Sequence, residues 1–170
     1  MHNVSELKDK KILIVGLAKT GVSLARFLVK HGAIVTVSDH KSKAELANHL
    51  EEIEDLNLNY DLGNHTPKVF LQQDLIVLSP GISPQLKIFD YAKSNGVQVT
   101  GEFEFSSRFV QEPIIAVTGT NGKTTTVSLI FEMLHKSGKN VWVGGNYGKP
   151  MVTYLLEDQK ADVLIVESSA

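Results

Sequence analysis

Two glycines, a lysine, an asparagine and three threonines stand together at Gly119, Thr120, Asn121, Gly122, Lys123, Thr124 and Thr125. Backbone N–H groups of a glycine-rich turn at the start of a helix converge on phosphate oxygens, and the helix dipole adds to the attraction. Lys123 can reach the outer phosphates of a nucleotide, and the hydroxyl of Thr124 can bind Mg²⁺. The loop is a shortened one. The common G-x-x-x-x-G-K-[ST] form needs a further glycine where this chain carries Val117. A plain strand-to-helix turn with an exposed lysine is the competing reading. Against it, an apolar strand, G-x-x-G-K-T and an amphipathic helix follow one another in the order phosphate binding requires.

Glu167 closes the apolar run "VLIV". A carboxylate at the carboxyl end of a strand beside a phosphate loop is where Mg²⁺ needs a hard oxygen ligand, although a solvated strand-end glutamate fits the same pattern. A second glycine loop, "GLAKTG", spans Gly16 to Gly21. It reads G-x-A-x-x-G, so Ala18 replaces the glycine that admits a dinucleotide pyrophosphate. Lys19 and Thr20 can offer it a charge and a donor, and Asp39 lies where an acidic residue would bind a ribose hydroxyl. The loop suits a diphosphate ligand other than NAD; a nucleotide-free domain of the same shape remains the alternative. Ser79 and Gly81 of "SPGISP" and Asn146 of "GGNYG" leave strands toward the edge where open α/β sheets bind ligands, or they form simple turns. The six histidines have no ligand spacing and most read as surface residues, with His40 beside Asp39 the exception.

Elements that could hold these residues alternate along the chain. Strands are predicted at 11–15, 33–39, 58–63, 74–81 (ending in a turn) and 97–100, with helices over 22–32, 44–56, 84–96 and 101–109 between them. The pattern restarts with strands at 113–119, 140–145 and 161–170 and helices over 123–138 and 149–158. Leu129, Ile130, Met133 and Leu134 are expected on the core face of the 123–138 helix. The predicted fold is α/β: a Rossmann-like parallel-sheet domain over 1–111, then the beginning of a P-loop-type α/β ATPase domain over 112–170. The second part holds three strands and two helices, so its last strand is expected to lack neighbours and the chain to be the front of a longer protein.

Composition narrows the partners. Of 170 residues, 42% are hydrophobic and 21% charged, with a net charge of −2, which offers nucleic acid no basic footprint. The chain has no cysteine, which rules out disulfides and thiol chemistry. No apolar run approaches the roughly 18 residues of a membrane span, and the polar start is unlike a signal peptide, so the cytoplasm is expected.

"GLAKTGVS", "SPGI", "GEFEF", "VTGTNGKTTT", "GGNYG" and "VESSA" follow one another along the whole chain, and in this order they resemble the Mur ligases of bacterial cell-wall synthesis. The shortened phosphate loop belongs to that superfamily, and "GLAKTG", Asp39 and "SPGI" together favour its D-glutamate-adding branch over the L-alanine-adding one. The resemblance implies ATP-driven amide synthesis. ATP phosphorylates the carboxylate of UDP-N-acetylmuramoyl-L-alanine, and the amine of D-glutamate then displaces phosphate. It implies that Gly119 to Thr125 hold ATP, with Lys123 catalytic and Thr124 and Glu167 serving Mg²⁺. It also implies that Lys19 and Thr20 face the UDP diphosphate, Asp39, His40 and Lys41 the uracil, and Ser79, Gly81 and Asn146 the nucleotide-sugar. The family's further metal ligands and its closing domain have no counterpart here, so the chain alone is expected to be inactive. A UDP-sugar-binding module without turnover is the rival reading. An NAD-dependent dehydrogenase is disfavoured by Ala18 and by the second nucleotide loop.

Overall fold

The computed structural model describes residues 3–145, 149–157 and 160–168. Five strands form the first sheet: β1 (Lys11–Val15), β2 (Ile34–Asp39), β3 (Asn59–Leu62), β4 (Leu75–Leu78) and β5 (Gln98–Gly101). All pairs are parallel, in the order β3-β2-β1-β4-β5. Strands covered on both faces read as continuous apolar runs rather than alternating ones, and "ILIV" of β1 is buried throughout. Helix α1 (Lys19–Lys30) turns Val22, Leu24, Ala25, Phe27 and Leu28 onto the sheet. With Gly21, the buried positions Leu24, Ala25 and Leu28 recur at i, i+3, i+4 and i+7, the spacing of one face of a 3.6-residue period. Chain order reverses beside β1, which pairs with β2 on one side and β4 on the other. Such a switch point opens a crevice at the carboxyl ends of the strands.

Four shorter helices complete this half: α2 (Ala47–Glu51), α3 (Pro67–Leu71), α4 (Lys87–Ser94) and α5 (Glu102–Ser107). Two differ from the sequence reading. The helix expected over 44–56 is regular only across α2, with turns on either side; its fully buried anchors Leu46 and Ile53 lie outside α2, and Leu50 and Leu56 are only partly buried against the core. Helix α3 was not predicted. Its Pro67 sits at the first helical position, and the single buried Phe70 gives too little periodicity to detect.

The second sheet has three parallel strands, β6 (Ile114–Val117), β7 (Val141–Gly145) and β8 (Val163–Glu167), in the order β6-β8-β7. The expectation that the last strand lacks neighbours is therefore wrong. β8 is the central strand, buried at all five residues and paired on both sides. Helix α6 (Lys123–Lys136) buries Val127, while Leu129 and Met133, expected on its core face, are 61% and 72% exposed. Only part of the apolar surface of α6 meets this three-stranded sheet.

Helix α7 (Met151–Leu156) joins the halves, packing against both α1 and α5. Val152 is fully buried in the core that holds Phe27, Leu28 and Phe105 of the first half. Met151 and Tyr154 lie instead with Trp142, Leu164 and Val166 of the second. Apolar packing is thus continuous across the joint.

Candidate functional site

Each glycine loop leaves the carboxyl end of a strand, and its glycines take backbone angles or close approaches that a side chain would oppose. Gly16 follows β1 at φ 94°, and a Cβ there would lie 3.0 Å from the Ile82 side chain and 3.2 Å from that of Ser79. A Cβ on Gly21 would lie 2.3 Å from the carbonyl oxygen of Gly16, so the loop closes tightly onto the first turn of α1. Ala18 takes φ −119° and ψ −166°, open to any residue, which is why the loop folds without a central glycine.

The loops around the switch point are tied to one another. The Ser79 hydroxyl, buried at 4% exposure, donates to the carbonyl of Gly16 at 2.8 Å and so locks the turn after β4 to the turn after β1. Asp39 ends β2 with 6% exposure, and its two carboxylate oxygens accept from the Leu17 N–H at 2.7 Å and the Lys41 N–H at 2.9 Å. The carboxylate sequence reasoning assigned to a ribose is thus first of all a brace for the glycine loop. His40 Nδ1 lies 3.3 Å from it, and the side chains of His40, Lys19 and Lys41 face solvent at the mouth of the crevice. Gly81 is exposed in the turn beyond Ser79.

Beside them, Ser38, Asp61 and His65 form a network that the sequence reading missed. The Ser38 hydroxyl donates to Asp61 Oδ2 at 3.1 Å and lies 2.8 Å from His65 Nδ1. The ring of His65 packs edge-on against Phe70. His65 is therefore no surface histidine, and only α3, which carries Phe70, could have disclosed this. Burial is the main cause holding its pKa below the usual value, against the pull of Asp61 and Asp39. A lowered folded pKa means that the unfolded chain binds more protons. The stability this residue lends is present above about pH 6.5 and is lost as pH falls through the folded value. Ring-proton NMR should find its midpoint below about 6.5, the ordinary histidine value. A midpoint at or above that would refute the burial.

In the second half, Val117, Glu167 and Gly145 share one level at the ends of β6, β8 and β7. The loop after β6 turns at Gly119 (φ 144°) and Gly122 (φ 76°) and enters α6 at Lys123. Such positive angles are routine only for glycine. Lys123 Nζ lies over the loop, donating to the carbonyl of Gly119 at 2.7 Å. Thr124 Oγ1 donates to Glu167 Oε2 at 3.1 Å, so the two oxygen groups that sequence reasoning paired are in contact. A hydroxyl and a buried carboxylate at this separation suit a hard divalent cation such as Mg²⁺. Among the described residues, no group of three or more His, Asp or Glu side chains could hold a metal. Thr120, Asn121 and Thr125 are exposed around the loop. Asn146 lies outside the described residues.

A pocket of about 480 Å³ lies at the carboxyl ends of β4 and β5, lined by Ser79, Gly81 and Ile82 of the first half and reached by Ser168 of the second. Thr100 and Glu102 form part of its wall. Among the described residues, no helix is long and apolar enough to cross a membrane.

Comparison with known proteins agrees with this geometry. The family described as "Mur ligase MurD-like, N-terminal domain" matches residues 10–101, and "Mur ligase middle domain" matches residues 117–170. The chain belongs to the Mur ligase family. It is 58% identical, over 98% of its length, to a UDP-N-acetylmuramoylalanine--D-glutamate ligase of Bdellovibrio bacteriovorus, and 47% identical to the enzyme of that name from Geobacter sp. strain M21. It spans 36% of the length of each. Among solved structures it resembles a pseudomurein peptide ligase type C from Methanothermus fervidus, with a TM-score of 0.51 and 26% identity. That match covers 95% of this chain and 33% of the other.

Proposed function

We propose that this chain forms the substrate-binding and phosphate-loop portion of an ATP-dependent ligase of peptidoglycan precursor synthesis. The enzyme joins D-glutamate to UDP-N-acetylmuramoyl-L-alanine in the cytoplasm. The observation that carries the reading is the contact of Thr124 with Glu167 beside the second phosphate loop, in a chain whose first sheet places another loop suited to phosphate at its switch point. One phosphate-binding half would serve a kinase or a dehydrogenase equally. Two such halves packed together suit a reaction in which a nucleotide-linked acid must meet the γ-phosphate of ATP.

In this reading, the loop from Gly119 to Thr125 cradles ATP through backbone N–H groups, with Lys123 against the outer phosphates. Thr124 and Glu167 would hold Mg²⁺, which supplies positive charge that offsets the phosphate oxygens when bound. On the facing edge, Lys19 and Thr20 meet the UDP diphosphate at the start of α1. Asp39, His40 and Lys41 meet the uracil, with Asp39 acting mainly through the loop it braces. Ser79, Gly81 and Asn146 line the path of the nucleotide-sugar. The substrate carboxylate attacks the γ-phosphorus of ATP as the bond to ADP breaks, giving an acyl phosphate. The amine of D-glutamate then attacks the acyl carbon and phosphate leaves. Bringing the two substrates together in a closed cleft supplies much of the rate.

Calorimetric titration of the chain with UDP-N-acetylmuramoyl-L-alanine and with NAD tests this reading. Saturable binding of the first is expected, with NAD weaker by at least about tenfold, a difference of roughly 1.4 kcal/mol. Tighter binding of NAD would overturn the assignment of the first loop.

A further inference from the structure

Glu102 takes no part in the chemistry above, yet it is a carboxylate buried to 4% exposure at the joint between the halves. It stands at the first residue of α5, just past the end of β5, yet one of its hydrogen-bond partners lies on the other half. Its Oε1 accepts from the Val152 N–H of α7 at 2.7 Å and from the Ser106 hydroxyl of its own helix at 2.9 Å. The first N–H groups of a helix have no partner within it, and α7 has no cap from its own N-terminal side chains. The first half thus caps a helix of the second.

We propose that Glu102 is a positioning residue that fixes the phosphate-loop half against the substrate half. A short run of contacts supports this. β5 ends at Gly101, Glu102 holds the start of α7, and Lys149, just before α7, accepts from the Gly145 N–H at 2.8 Å. Gly145 pairs in β7 with Glu167, whose carboxylate meets Thr124. The carboxyl edge of the first sheet is thereby connected, through backbone hydrogen bonds and one carboxylate, to the candidate cation pair. Apolar packing of α7 against α1 and α5 brings the halves together, but such packing has no single register; a directional bond to a helix start supplies one. An uncompensated carboxylate would not tolerate this burial, and hydrogen bonds from both sides offset its cost.

The proposal rests on the ligase reading for its catalytic consequence and not for its structural one, so two measurements separate them. The chain has no cysteine, so cysteines placed at the exposed Glu54 and Lys136 can carry spin labels without background. Pulsed dipolar spectroscopy on the 170-residue chain should give one narrow distance distribution. Glu102→Ala should broaden it. Glu102→Gln, which keeps an acceptor oxygen for Val152 and Ser106, should restore it. If Glu102→Ala does not fold, Glu102→Met serves instead, since it keeps the length of the side chain and removes the acceptor. A distribution as narrow in these variants as in the parent would overturn the proposal. In the full-length protein, Glu102→Ala should lower kcat about 100-fold, with KM for ATP and for the UDP-substrate nearly unchanged, because each ligand keeps its own half while the reacting atoms lose alignment. A rise in KM with kcat unchanged would also overturn it. Absence of ligation in the unmutated protein would refute the ligase reading and leave the distance result to decide the role of Glu102.

Discussion

Replacing Lys123 with alanine in the full-length protein is expected to lower ligation by about 10²- to 10³-fold and to leave affinity for the UDP-substrate within a few-fold. Lys123 is the first residue of α6, and its ammonium already bends over the phosphate loop to the Gly119 carbonyl. A charge held there before the reaction needs little reorganisation as the γ-phosphoryl group separates from ADP, which is the condition for a large electrostatic contribution. The interaction strengthens as charge develops on the phosphoryl oxygens, so its loss falls more on kcat than on ground-state binding. The UDP-substrate is assigned to loops of the other sheet, joined by Ser79 and Asp39, neither of which touches Lys123. Steady-state kinetics with a separate UDP-substrate titration checks both parts. Activity within a few-fold of the parent would show that this loop is not the catalytic phosphate site.

Much of this arrangement is legible in the residues, and where legibility ends there is a physical cause. The central strands β1 and β4 are buried on both faces, so their apolar runs are unbroken, and each is punctuated by glycine or a polar turn. The loops are marked by residue types that their backbones require: Gly16, Gly119 and Gly122 all take positive φ. Thr124 and Glu167 are 43 residues apart, and their contact follows from the rule that parallel strands bring their carboxyl ends to one edge. Strand order is harder to read. Nothing in "VLIVE" says that the last strand enters between the other two, and the error over its neighbours came from treating chain order as spatial order. The exposed Leu129 and Met133 mislead in the opposite sense, because periodicity reports an apolar stripe without saying what covers it. Glu102 was invisible for another reason. A glutamate at the start of a helix is common near the positive end of its dipole, and only the packing of α7 shows that its bond leads elsewhere.

A single methyl group at Gly145 should affect the phosphate-loop half more than any loss of a surface side chain. Gly145 ends β7 at φ 118°, opposite Glu167 in the central strand. A Cβ there would lie 2.2 Å from the carbonyl oxygen of Glu167 and 2.8 Å from its nitrogen. These are backbone atoms of a strand paired on both sides, so no side chain can rotate to relieve the overlap. Gly145→Ala must therefore shift the end of β7 or that of β8, and either motion disturbs the carboxylate facing Thr124. The backbone angle alone costs an alanine roughly 1–3 kcal/mol, and the overlap adds to it. Gly138→Ala is the matched control: it has φ 82° at the end of α6, yet a Cβ there would meet nothing within 4 Å. Urea denaturation should place the alanine at 145 below the alanine at 138 in stability. Titration with Mg²⁺ and ATP should show affinity reduced by at least about tenfold for the first and unchanged for the second, roughly 1.4 kcal/mol apart. Binding of the UDP-substrate should survive both changes, since its loops belong to the other sheet. Equal stability and equal nucleotide affinity in the two variants would mean that the ends of β7 and β8 do not approach as closely as this pairing requires.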